Sequence, residues 1–297
     1  SKLSTYNNKD IFFEKFDFSL QDMYRSLDYF SNYKNDLLIS LWNNTKDKYN
    51  RNTSITYYDT TNYYFEISYN DEDELNDKGE IIKKGLRKKG PSKEHRKTPI
   101  VQMGLLMDKK GLPMYYDLFP GNESEKLQMR PTLKKTKAKF GIDRTIIVAD
   151  RGQNTSDNTV FIAGKNDDDH SNHDGYVYGQ SILGADKEFK DWALKQDDFI
   201  YDEIYDEFGN SVTYKEAIKD EEGKVIGYED KPAIFKHKSR VYAKKVQIKK
   251  DGKRNVNYLI YQKQMVYYSK KYADRQKNLR EQAIEKAKDL IKNPGKY

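Results

Sequence analysis

Asp59 and Asp150 each follow a short run of β-branched and aromatic residues, Ile55-Thr56-Tyr57-Tyr58 and Thr145-Ile146-Ile147-Val148-Ala149. Such runs form strands, so each aspartate is expected at the C-terminal end of one, where ligands gather in open α/β sheets. Two carboxylates brought together there repel unless a divalent cation joins them. Mg²⁺ takes one or two carboxylates and leaves its other positions to water and phosphate oxygens. A pair of such ions about 4 Å apart activates a water and stabilises the leaving oxygen in phosphodiester cleavage. Asp is also a common turn former after strands, so spacing and position alone leave a catalytic and a structural role open.

Other chemistry-bearing residues make weaker groupings. Residues 167–174 run Asp-Asp-Asp-His-Ser-Asn-His-Asp and have the ligand types for a divalent metal, but adjacent acids without a fixed turn read better as a solvated loop. His95 lies in a basic segment and His237 between Lys236 and Lys238, neither with an evident carboxylate partner. Ser156 has no Gly-x-Ser-x-Gly setting and reads as a helix N-cap. No Gly-x4-Gly-Lys-Ser/Thr or Gly-x-Gly-x2-Gly sequence occurs, which removes the common nucleotide-binding loops. The tyrosines, Tyr57, Tyr58, Tyr63 and Tyr64 among them, could stack on exposed bases, but their period-two placement makes most of them core or sheet-face residues.

Charge is segregated along the chain. Residues 71–80 hold six acids against Lys78 alone, a net of five negative charges, and residues 83–97 hold eight Lys or Arg against one Glu, a net of +7. The second figure equals the excess of the whole chain. Gly85, Gly90 and Pro91 make 83–97 a poor helix or strand and a mobile loop; it is either solvated or a polyanion contact.

The elements that must carry these residues read as mixed α/β. Tyr63–Ser68, Ile100–Met107 and Met114–Phe119 are further strands, with Asp59–Asn62 as a turn after the first and Ile100–Met107 apolar enough to be buried on both faces. A helix is expected over about 126–140, capped by Gly141. A short amphipathic helix over 185–194 follows. Residues 199–268 then alternate as strands, with turns at 208–210, 222–224 and 251–253. The strongest helical pattern is 269–292, ended by Asn293-Pro294-Gly295.

Composition removes several classes. With 297 residues, 34% charged and 36% hydrophobic, the chain still carries 25 Tyr and 13 Phe, an aromatic content that argues against general disorder. There is no cysteine, so disulfides and thiolate metal sites are excluded; this suits a reducing, cytoplasmic setting. No run of about 18 apolar residues marks a membrane span, and the first residues lack the apolar stretch of a secretory signal.

The sequence around the two aspartates resembles a known family. Tyr57-Tyr58-Asp59-Thr60-Thr61-Asn62-Tyr63-Tyr64-Phe65-Glu66 is similar to the first-aspartate motif of the DDE transposases of bacterial insertion sequences, and Val148-Ala149-Asp150-Arg151-Gly152 to their second. Gly90–Arg96, Gly104–Pro113, Phe119–Asn122, Phe161–Lys165 and Tyr178–Ser181 resemble further features of that family in the same order, so the likeness runs from about residue 50 to 290. The resemblance implies an RNase H-like mixed sheet with flanking helices, interrupted by a largely β insertion, and Mg²⁺- or Mn²⁺-dependent cutting and joining of transposon DNA ends. It implies Asp59 and Asp150 as catalytic metal ligands. Lys88, Lys89, Lys93, Arg96 and Arg151 are expected at DNA phosphates, which anchor without reading sequence. A homodimer on the DNA is compatible with this reading.

The family also needs a Glu in the pattern Tyr-x2-Arg-x3-Glu-x6-Lys. Here Tyr272-x2-Arg275 is followed by Leu279, and Lys277-x3-Glu281-x6-Lys288 has Asp274 in place of Tyr. Both matches are broken, so the third carboxylate is expected beyond Tyr297 rather than at Glu281, and the missing initiator Met fits a fragment. The expected organisation is an N-terminal helical or linker segment over 1–50, an RNase H-like core over 51–165, and a β-rich insertion ending in a long helix over 166–297. Two function classes follow: a transposase catalytic region, or a DNA-binding remnant that cannot cut. Charge leaves room for a third, a protein-interaction domain without nucleic acid.

Overall fold

The computed structural model describes residues 2–91, 97–165, 174–222, 224–250 and 254–294. It divides into two compact units, Ser1–Ser181 with Val246–Tyr258, and Ile182–Lys245 with Leu259–Tyr297.

The first unit opens with helices α1 (Lys2–Asn7), α2 (Leu20–Asn32) and α3 (Lys34–Thr45). Strands β1 (Ile55–Tyr64), β2 (Glu74–Leu75), β3 (Ile81–Lys83), β4 (Ile100–Met107) and β5 (Pro113–Pro120) follow, then α4 (Met129–Phe140), β6 (Ile146–Ala149), α5 (Ser156–Ile162) and β7 (Gly175–Tyr178). Five strands form one mixed sheet in the order β5-β4-β1-β6-β7. β1, β4 and β5 are antiparallel neighbours, whereas β6 runs parallel to β1 and β7 parallel to β6. β2 and β3 form a separate small hairpin.

The core lies on one face of that sheet. Tyr58, Leu106 and Ile147 meet Met129 and Leu133 of α4 and Phe161 and Ile162 of α5, all buried. A second cluster, Met114, Tyr115 and Ile142, packs with Leu38 and Trp42 of α3. Arg51 ties that corner together. It stacks on Trp42 at 4.7 Å, pairs with the fully buried Asp108 at 2.6 Å, and donates to the Leu112 and Pro113 carbonyls.

Three sequence expectations change here. Asp59–Asn62 is not a turn: β1 runs unbroken to Tyr64, because Thr60–Asn62 pair with Gly104–Gln102 of β4, partners a turn would have left unmatched. Thr60 is buried on the Tyr58 face, so the two-residue alternation continues through polar residues. β4 is less enclosed than its apolar run suggested, since Met103, Leu105 and Met107 are only half-buried. The α5 N-cap is Thr155, whose hydroxyl accepts from the Asn158 N–H, and Ser156 is the first helical residue. The helix over 129–140 ends at Gly141 as expected.

The second unit holds α6 (Lys187–Leu194), β8 (Ile200–Glu203), β9 (Thr213–Lys219), β10 (Val225–Pro232), β11 (Ile234–Lys250), β12 (Arg254–Tyr268) and α7 (Lys270–Lys292); parts of β11 and β12 belong to the first unit. β9 and β10 form a hairpin; β12, β11 and β8 form a three-stranded sheet. Lys238 is buried beneath the C-terminal end of α6, donating to the Trp192 and Lys195 carbonyls. That placement answers the negative end of the helix dipole and satisfies carbonyls the helix leaves free. His237, expected to lack a carboxylate partner, shares a 2.7 Å hydrogen bond with Asp202. Register supplies it: β11 and β8 pair Phe235 with Asp202 and His237 with Ile200.

Candidate active site

The parallel pair β1–β6 registers Tyr57 with Val148 and Tyr58 with Ala149. Asp59 and Asp150 are the next residue on each strand. Neighbouring strands lie about 4.8 Å apart and side chains alternate between faces, so these two positions adjoin one another and leave the sheet opposite buried Tyr58. Both aspartates are exposed. Asp150 sits at the end of its strand as expected; Asp59 lies within β1, at the point where pairing with β6 stops and pairing with β4 continues.

Each carboxylate is oriented by its own backbone. Asp59 Oδ1 accepts from the Thr60 N–H at 2.8 Å, and Asp150 Oδ1 from the Gly152 N–H at 2.8 Å. Oδ2 of each makes no hydrogen bond among the described residues. The turn after Asp150 is itself held from below. Buried Asn158 donates to the Gln153 carbonyl at 3.0 Å and to its Oε1 at 3.3 Å. Gln153 Nε2 reaches the Glu125 carbonyl at 3.4 Å, and Asn154 Nδ2 bonds Gln180 Oε1 at 2.9 Å. The Asn158–Gln153 contact has the local signal of a helix first turn; the links to Glu125 and Gln180 have none.

The wall behind the site is aromatic, with buried Tyr58 packed against half-buried Tyr176 and Tyr178. Burial pushes the Tyr58 and Tyr178 phenols above their ordinary range. Gly104, opposite Thr60 on β4, makes room for Tyr58: a Cβ there would stand 2.5 Å from its hydroxyl. At the far edge Asp117 is held by Lys34 and Lys135; burial pushes its carboxyl up, and the two ammonium groups more than offset that.

The expected phosphate contacts are in mixed circumstances. Arg151 is exposed beside Asp150. Lys88 is paired with Asp73 at 2.9 Å. Lys89 carries no ion pair among the described residues, and its N–H bonds Asn70 Oδ1. Lys93 and Arg96 lie outside the described residues, as do His95 and 167–173 of the acidic run. Residues 83–91, expected as a mobile loop, are pinned: Lys88 exchanges backbone hydrogen bonds with Ile100, and Arg87 accepts from the Asp71 N–H. Glu281 is exposed on α7, 3.9 Å from Lys277.

A divalent ion of the Mg²⁺ type fits two adjacent exposed carboxylates that leave its remaining positions to water and substrate oxygens. Among the described residues no group of three His, Cys, Asp or Glu side chains is placed to hold a metal. No helix among them is long and apolar enough to cross a membrane.

No family model and no curated protein matches the chain. Among solved structures it is similar to a Mos1 transposase paired-end complex with the left transposon end, at 13% identity and a TM-score of 0.26. That match covers 48% of this chain and 39% of the other, a similarity too slight to assign a fold by itself.

Proposed function

We propose that this chain is the catalytic region of a DDE-type transposase, acting on DNA ends by metal-dependent cleavage and strand transfer. The observation that carries the reading is the register of β1 and β6, which makes Asp59 and Asp150 neighbours although 90 residues separate them. The surrounding sheet, with three antiparallel strands extended by two parallel ones, is of the mixed kind that an RNase H-like core calls for.

Asp59 and Asp150 would hold Mg²⁺ or Mn²⁺, which when bound supplies charge neutralisation and water activation at a phosphodiester. The residues of the chain do the rest. The Thr60 and Gly152 amides fix one oxygen of each carboxylate and leave the other for a metal ion. Arg151 and Lys89 would contact DNA phosphates, positioning without reading sequence.

A second reading is a DNA-binding remnant that cannot cut; the lack of a third carboxylate grouped with the pair among the described residues favours it. Incubating the chain with supercoiled DNA carrying its own gene's flanks, with Mg²⁺ or Mn²⁺, separates the two. Nicking that disappears in Asp59→Asn and Asp150→Asn supports the enzyme; salt-sensitive binding with no nicking, unchanged by Asp59→Asn, supports the remnant.

A further inference from the structure

The acidic and basic segments, consecutive in sequence, fold back on each other. Glu74 and Lys83 are registered across the β2–β3 hairpin and paired at 2.8 Å. Arg87 reaches Asp71 through Nη2 at 2.6 Å and Nε at 2.7 Å, and Lys88 reaches Asp73 at 2.9 Å. Lys84 is paired with Glu123 at 2.6 Å. The Arg87 guanidinium holds the Asp71 carboxyl below its ordinary range, and the Lys88 ammonium does the same for Asp73. Backbone contacts set the alignment: the Gly85 N–H donates to Asp73 Oδ1 and the Arg87 N–H to Asp71 Oδ2. A Cβ on Gly85 would lie 2.7 Å from the Asp71 Cβ and the Glu72 carbonyl, so this close approach needs glycine.

Both guanidinium nitrogens close on one oxygen, Asp71 Oδ1, a charge-assisted contact that a phosphate oxygen can also make. Exposed ion pairs contribute only about 0–1 kcal/mol each, whereas a DNA backbone presents a dense line of anions. We propose that residues 71–74 are an internal competitor for a phosphate-binding strip formed by Lys83, Arg87 and Lys88: Glu74, Asp71 and Asp73 hold these cations in place of DNA phosphates, and removing their charge hands the strip to DNA. The proposal rests on the nucleic-acid reading above, but on binding alone and not on cutting.

The test compares the full chain with Asp71→Asn/Asp73→Asn/Glu74→Gln, replacements that keep the side-chain acceptors and remove the charge. Duplex DNA binding is measured by fluorescence anisotropy over a series of salt concentrations. Freeing three cations should tighten binding at low salt and steepen the slope of log affinity against log salt by about 2.7, at about 0.9 per phosphate. A control with the same change in net charge, Glu207→Gln/Glu221→Gln/Glu222→Gln, neutralises exposed acids that pair with no basic residue of the strip, and its slope should match wild type. Equal slopes in the two triple variants would overturn the proposal, as would failure of every form to bind DNA at low salt. If the first variant does not fold, Asp73→Asn alone should steepen the slope by about 0.9, and an unchanged slope there overturns it equally. Loss of nicking with these slopes intact would count only against the site at Asp59 and Asp150.

Discussion

Tyr58 of β1 and Ala149 of β6 are registered partners across a parallel strand pair, and the residues that follow them are Asp59 and Asp150. Tyr58 and Ala149 face the helices of the core; the aspartates face away. A one-residue slip of β6 would exchange the two faces, burying a carboxylate and exposing Ile147, which has no accessible surface at all. The core therefore fixes the spacing of the site, and whatever disturbs Tyr58 should disturb both.

Gly104→Ala tests that coupling. Its Cβ would sit 2.5 Å from the Tyr58 hydroxyl and 3.2 Å from the ring, and overpacking of this kind costs about 1–3 kcal/mol. Tyr58→Phe removes the atom in closest conflict, so the double variant should recover part of the loss. Urea denaturation of the four proteins measures it; strictly additive losses would show that Gly104 does not act through Tyr58.

Arg51 and Asp108 should be the most sensitive ion pair in the first unit. Their side chains are 4% and 0% exposed, and Asp108 also accepts from the Lys110 and Leu112 N–H groups. Removing one partner of a buried pair costs about 3–5 kcal/mol, so Arg51→Ala should show a loss of that size in denaturant titration. Arg51→Lys should rescue little, because an ammonium cannot reproduce the fork that also reaches two carbonyls.

Alkali should unfold the first unit through its tyrosines. Burial pushes Tyr115 up to about 12 and raises Tyr58 and Tyr178 as well. A proton held more tightly in the folded state stabilises it fully below the unfolded value of about 10. That contribution is lost as pH rises from about 10 through the folded values. Stability should thus be level from neutrality to about pH 10 and fall above it, with late tyrosinate absorbance appearing together with unfolding. Tyr58→Phe should flatten part of the fall; complete tyrosine titration near pH 10 in a folded chain would contradict this.

Much of this was legible in the sequence because it is local. The short apolar run before Asp150 and the Gly141 helix stop are set by neighbouring residues, and they stand where expected. What escaped is long-range. Asp59–Asn62 has turn composition, but β4 offers it ladder partners from Leu105 to Gln102, and pairing overrides propensity. The 71–80 and 83–97 segments announced their charges but not that Asp71, Asp73 and Glu74 would be spent on Arg87, Lys88 and Lys83. His237 likewise found Asp202 through strand register, 35 residues away.

In the proposed function Asp59 and Asp150 together hold one class of divalent ion. Titrating the whole chain with Mn²⁺ in the presence of a short DNA duplex, and reading free Mn²⁺ by electron paramagnetic resonance, tests it most directly. The expected result is a saturable site in wild type that both Asp59→Asn and Asp150→Asn abolish, with thermal stability unchanged because both side chains are exposed. Equal Mn²⁺ binding by all three proteins would contradict the account.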